Sequence, residues 1–131
     1  MNFQDIANNL SVIPAYAGAT ISSSTTTTST IVIDAQGYES VMFALYAGTR
    51  TDGSYLLKIL ETDNSDGTTG AAEVGSYQVQ GTLTASNTVK KVGAKLSKRY
   101  CTLSIVSTTV TSGCVFKGAV AILSGARNAP V

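Results

Sequence analysis

Apolar and polar residues exchange places at short intervals along most of this chain, which is the period of extended strands, not of helices. Over Tyr100–Ser107 the alternation is clear: Cys101, Leu103 and Ile105 fall on one face, Tyr100, Thr102 and Ser104 on the other. Tyr55–Glu61 puts Tyr55, Leu57, Ile59 and Glu61 on one face and Leu56, Lys58 and Leu60 on the other, so both faces are largely apolar. Val41–Ala47 is apolar without interruption, which predicts a strand covered on both sides. Ile31–Ile33, Val74–Val79, Thr82–Thr84, Val89–Ala94 and Cys114–Leu123 supply further strands. Turn residues separate them at Ala35–Gly37, Thr51–Gly53, 62–70, 96–99 and Ser112–Gly113. Seven to nine strands and no sustained helical period predict an all-β, antiparallel β-sandwich, jelly-roll or immunoglobulin-like, in a single domain.

The ends read differently. Met1–Gly18 contains Pro14 and Gly18, shows no sustained period, and is expected to be an irregular N-terminal arm. Phe3, Ile6, Leu10, Val12, Ile13 and Tyr16 are too many apolar residues for a solvated tail, so the arm should pack on this domain or on a neighbour. Phe3, Ile6 and Leu10 also have the spacing of a short helical turn. Ser22–Thr30 is all serine and threonine; because threonine is β-branched and favours extended backbone, the run predicts a turn leading into a strand. The expected organisation is an arm over 1–18, a sandwich over 19–124 and an irregular tail over 125–131.

Composition narrows the function. Only 13% of the residues are charged against 44% hydrophobic, where a soluble domain carries about 25% charged, so less of the surface is committed to solvation. Histidine is absent, which removes the usual proton shuttle and the commonest transition-metal ligand. No apolar run approaches a membrane span. Asp5 and Asn8-Asn9 do not suit a secretion signal, so synthesis inside the cell is expected, with Cys101 and Cys114 reduced. Residues 1–88 carry eight acids against two cations, and residues 89–131 carry seven cations and no acid, balances of −6 and +7. That polarity favours head-to-tail complementarity unless folding interleaves the two halves.

Candidate chemistry is sparse. With a hairpin turning near Thr109–Ser112, Cys101 would face Val120 and Cys114 would face Ser107, too far apart for a disulfide. Glu61, Asp63 and Asp66, with Asn64 and Gly67, could offer oxygens to calcium, but the spacing is not that of an EF-hand; a solvated hairpin loop is the simpler reading. Lys90, Lys91, Lys95, Lys98 and Arg99 have one aromatic beside them, Tyr100, a thin signal for nucleic acid. Docking to an acidic protein surface, or a strand edge kept soluble by lysines, fits them better. No catalytic residue, metal or cofactor is expected.

Gln36-Gly37-Tyr38-Glu39-Ser40 leads into an apolar strand, and Asp52-Gly53 precedes Leu57-Lys58-Ile59-Leu60-Glu61-Thr62-Asp63-Asn64. Val92–Tyr100 is later closed by Gly118–Leu123 and Arg127–Val131. In this order the three stretches together resemble small virion proteins of tailed bacteriophages. The resemblance is to a capsid decoration (cement) protein, and it implies a small β-sandwich on the outside of the major capsid protein shell, reinforcing the head. It also implies a homodimer or homotrimer, made in the host bacterial cytoplasm and carried on the virion exterior. A head–tail joining or tail component is the alternative, and a glycan- or nucleic-acid-binding β module a more distant one. Neither a membrane nor direct nucleic-acid contact is expected. The expected protein contacts are Phe3, Ile6, Leu10 and Tyr16 of the arm, Arg127 and Pro130 of the tail, and the cations Lys95, Lys98 and Arg99.

Overall fold

Eleven strands and no helix make up the described part of the chain, residues 10–74 and 81–125 of a computed structural model. In chain order they are β1 (Ser11–Tyr16), β2 (Ala19–Ile21), β3 (Thr26–Thr28), β4 (Ile33–Asp34), β5 (Ser40–Arg50), β6 (Ser54–Thr62), β7 (Ala72–Glu73), β8 (Gly81–Leu83), β9 (Thr88–Lys95), β10 (Tyr100–Thr108) and β11 (Cys114–Ser124). One sheet runs β1-β11-β5-β9, with β2 also on β11; we call it sheet A. Sheet B runs β3-β10-β6-β7, with β4 also on β10 and β8 also on β6. Every pairing is antiparallel. Counting β1/β2, β3/β4 and β7/β8 as broken single positions leaves eight, and the chain alternates between sheets in jelly-roll order. Of the two sandwich types expected from the sequence, the structure has the jelly roll.

Period two builds the core between the sheets. Val41, Phe43, Leu45 and Ala47 of β5 are buried against Tyr55, Leu57 and Ile59 of β6 and Cys101, Leu103 and Ile105 of β10, as the alternation predicts. Phe116 of β11 meets Tyr55 edge-to-face across the layers, ring centres 5.2 Å apart. Glu61 also points inward. Its carboxylate accepts the Ser97 amide (3.1 Å) and hydroxyl (2.7 Å), tying β6 to the β9–β10 turn.

Three local expectations are corrected. Ser11–Tyr16 is not part of an irregular arm but the edge strand of sheet A, paired with β11. Pro14 is tolerated because an edge leaves some amides unneeded, and the register shift between Pro14 and Tyr16 blurs the alternation in the sequence. Second, β10 and β11 do not form a hairpin. They lie in different sheets: Cys101 pairs with Ile33 and Glu61, Cys114 with Ile21 and Arg50. Both thiols are free and buried, and desolvation pushes that of Cys101 up to about 12. Third, Thr51-Asp52-Gly53, whose Asp-Gly pair has the chemistry of a hairpin turn, has the expected positive-φ glycine (Gly53, +89°) but joins no hairpin: it carries the chain from sheet A to sheet B.

Asp52 explains the second and third corrections together. Its carboxylate accepts the amides of Thr111 (3.1 Å), Ser112 (3.0 Å) and Gly113 (2.9 Å), while the Thr51 amide donates to the Gly113 carbonyl at 2.9 Å. One side chain thus fastens the β5–β6 corner to the β10–β11 corner. Those amides, that of Gly113 first, hold the Asp52 carboxyl below the usual carboxylate range. Asp66 is lowered by the Thr69 hydroxyl and the amides of its own loop, and Asp34 by Arg99. A carboxyl whose folded pKa is depressed stabilises above its unfolded value, near 3.9, and that contribution is lost as pH falls through the folded pKa. Stability is therefore expected to hold from neutrality to about pH 4 as far as these groups decide it, then to fall. In urea titrations at successive pH values, Asp52→Asn should show a shallower acid-side fall than the parent; identical slopes would remove Asp52 from this role.

Candidate docking surface

The same alternation that buries one side of sheet A turns the other side outward, and that side is apolar. Strand register aligns its residues in rows across the sheet. Val12, Ile122, Met42 and Gly93 form one row, Pro14, Val120, Ala44 and Lys91 the next, and Gly118, Tyr46 and Val89 a third. Val89 is 59% exposed, Val12 58%, Tyr46 45% and Val120 39%, the exposed large hydrophobics among the described residues. All four lie on this face, so the exposure is concentrated rather than scattered, and contiguous apolar exposure is the mark of a contact surface. The Val41–Ala47 run, read as covered on both faces, is buried on one; Met42, Ala44 and Tyr46 look out instead.

Two shallow grooves cross the face. One, of about 520 Å³, is lined by Leu10, Met42, Gly93 and Ile122, with Lys95 and the Ser40 and Ser124 hydroxyls at its end. Those two hydroxyls are 2.8 Å apart, closing the polar end of the sheet between β5 and β11. The other groove, of about 280 Å³, is lined by Ala44, Tyr46, Val89, Gly118, Ala119 and Val120. Gly93 and Gly118 carry no side chain and so leave the floor open. Lys91 and Lys95, both exposed, stand on the edge strand β9. Neither lies within ion-pair distance of an acid among the described residues, where the ion pairs are Lys58–Glu73 and Arg99–Asp34. The face therefore has an apolar centre and a cationic margin.

The expected contact residues separate on the structure. Leu10 and Lys95 line the larger groove. Lys98 and Arg99 lie apart from it, in a cleft of about 210 Å³ with Gln36, Tyr38 and Ser97. Arg99 is engaged internally: Nε and Nη2 donate to the two Asp34 oxygens at 3.0 and 2.9 Å, and the guanidinium stands 5.0 Å from the Tyr100 ring centre. This pair also joins the basic and acidic parts of the sequence, so the charge polarity is partly interleaved by folding. Tyr16 packs against the core with its hydroxyl buried and without a hydrogen-bond partner; burial raises its pKa. The residue as a whole is half-buried. Phe3, Ile6, Arg127 and Pro130 lie outside the described residues.

The acidic loop is not one cluster. Glu61 is turned into the sandwich, while Asp66 accepts the amides of Thr68 and Thr69 at 2.9 Å each within its own turn. No group of three potential metal ligands occurs among the described residues. Nor is any helix there long and apolar enough to cross a membrane.

Among the described residues, fold and surface together define a jelly-roll β-sandwich with an exposed apolar face on sheet A. No known protein family matches the sequence, and no curated protein does either. Among solved structures, the SPBc2 prophage-derived protein YomS is similar at a distance: 9% identity, TM-score 0.49, covering 88% of this chain and 92% of that one. Eiger TNF from S. frugiperda is similar at 7% identity and TM-score 0.41, covering 92% of this chain and 88% of that one. The jelly-roll assignment rests on the strand order itself.

Proposed function

We propose that this chain is a non-enzymatic structural virion protein that docks on the outside of the major capsid protein shell of a tailed phage and stabilises the head. The observation that carries the docking is the outward face of sheet A, where the four exposed large hydrophobics lie together. The phage shell as partner comes from the sequence resemblance. A stable contact needs roughly 800 Å² per partner, and apolar area returns about 25 cal/mol per Å² removed from water. The cationic margin at Lys91 and Lys95 fits a partner patch with an apolar centre and an acidic rim. Assembly into a dimer or trimer would multiply modest individual contacts through effective concentration.

Co-sedimentation with expanded phage shells tests the proposal. The parent should bind and raise the temperature of shell rupture. Val120→Asp and Tyr46→Asp, at outward positions that leave the core intact, should weaken binding by about 100-fold or more while preserving the β-sheet circular dichroism spectrum. Undiminished binding by both variants would sink the face as the docking site. Recovery of the protein only at the portal vertex or on tails would replace decoration with a joining or tail role.

A further inference from the structure

Two turns that cross between the layers lie side by side beyond the Ser40–Lys95 end of the β5–β9 ladder. They are the β4–β5 turn at residues 35–38 and the β9–β10 turn at residues 96–99. Backbone bonds clamp them together on either side: the Ala35 amide donates to the Arg99 carbonyl (2.8 Å) and the Leu96 amide to the Glu39 carbonyl (2.9 Å). Between the clamps the turns part, leaving the cleft of about 210 Å³ lined by Gln36, Gly37, Tyr38, Ser97, Lys98 and Arg99. We propose that this cleft binds a carboxylate, presented by an acidic side chain of a partner protein.

Charge and hydrogen-bonding capacity select that ligand. The ionised side chains lining the cleft are Lys98 and Arg99, both cations. The acids behind them are already engaged: Asp34 accepts the Gln36 amide (3.1 Å) and the two Arg99 bonds, and Glu61 accepts the Ser97 amide and hydroxyl. Arg99 is thus held in place by Asp34 and by the Tyr100 ring. Of the five N–H donors of a guanidinium, two go to Asp34 and the rest stay available. Lys98 is half-buried and has no acid within ion-pair distance among the described residues. The Gly37 and Lys98 amides have no hydrogen-bond partner there either. Gly37 has φ +90° and nothing within 4 Å of its would-be β-carbon, so the cleft is open at that point. Surplus donors and cations call for an anion that only accepts, and a planar carboxylate matches a guanidinium already fixed. The volume argues against a larger ligand, since sites for drug-sized molecules run to about 300–1,000 Å³. The cleft is separate from the outer face of sheet A. A charge contact there would fix the orientation in which a partner docks.

Amide NMR of the full chain, with a short capped oligoglutamate peptide as probe, tests the site. Saturable shifts should gather at residues 36–38 and 97–99, and the matching oligoglutamine peptide should produce none. Lys98→Gln and Arg99→Lys should each weaken binding by about tenfold or more, with the amide spectrum elsewhere unchanged. Lys90→Gln, in the same basic run but outside the cleft, should bind as the parent does. No shifts at the two turns would overturn the proposal. An equal loss in Lys90→Gln would overturn it in favour of diffuse attraction to the lysines, and inorganic sulfate binding as tightly as oligoglutamate would replace it with a general anion site. The probe brings no apolar surface, so failure here leaves docking on sheet A standing, and failed co-sedimentation with shells leaves the cleft standing.

Discussion

Gly113→Ala is expected to cost more than about 3 kcal/mol, over half of the stability of a protein at the low end of the usual range of about 5–15 kcal/mol. Gly113 has φ +101°, outside the conformations that an L side chain readily adopts. A β-carbon there would stand 2.0 Å from the Ile21 carbonyl oxygen and 2.9 Å from the Ser22 Cα. Both obstacles are backbone, so no side chain can swing aside. Relief would require β2 to part from β11, to which Ile21 is paired opposite Cys114, or would break the amide that Gly113 gives Asp52. Thermal unfolding by circular dichroism measures the loss, and Gly37→Ala supplies the control. Gly37 also has positive φ (+90°) but nothing within 4 Å of its would-be β-carbon, so it should lose only the conformational part, about 1 kcal/mol. Equal losses at the two positions would mean that close approach plays no part at Gly113.

Phe116→Ala should also have a large effect, about 4 kcal/mol. Phe116 is buried in β11 and bridges the layers to Tyr55 of β6, so truncation leaves a cavity between sheets and removes an edge-to-face pair worth about 1 kcal/mol. A lowering of Tm by about 15 °C is expected for a domain of this size. Tyr55→Phe, which keeps the ring pair and loses only the hydroxyl bonded to the Asp52 carbonyl at 2.8 Å, should cost about 1 kcal/mol. A Phe116→Ala effect no larger than that of Tyr55→Phe would show that the layers do not depend on this contact.

Side-chain direction was legible in the sequence and layer assignment was not. Tyr55, Leu57 and Ile59, with Cys101, Leu103 and Ile105, point inward as period two requires, because alternation is imposed by the strand itself. Which sheet each strand joins depends on the corners between strands. A carboxylate gathering three distant amides, as Asp52 does for Thr111, Ser112 and Gly113, leaves no periodic trace in the residues around it. Hence Thr109–Ser112 reads as a hairpin turn although it joins two layers. The outward face of sheet A was half legible. The continuous run at Val41–Ala47 announces a strand apolar on both sides, but a second covering layer and an exposed apolar surface give the same pattern. Lysines of the basic cluster do lie on an edge strand, as in one reading of them: Lys90, Lys91 and Lys95 are in β9, which among the described strands pairs only with β5.

The alternation of the chain between sheets also governs how the protein must fold. Among the described strands, β6 and β7 are the one sequence-adjacent pair that hydrogen-bonds; β5 and β6, β9 and β10, and β10 and β11 each part to opposite layers. Little local pairing is available to nucleate early structure, and the long strands must find partners far along the chain. Such topologies fold on the slower, millisecond-to-second scale. During that interval β5 and β11, apolar on both sides, are the segments most exposed to pairing with other chains, and at high protein concentration refolding yield should be limited by that competition rather than by the stability of the finished sandwich.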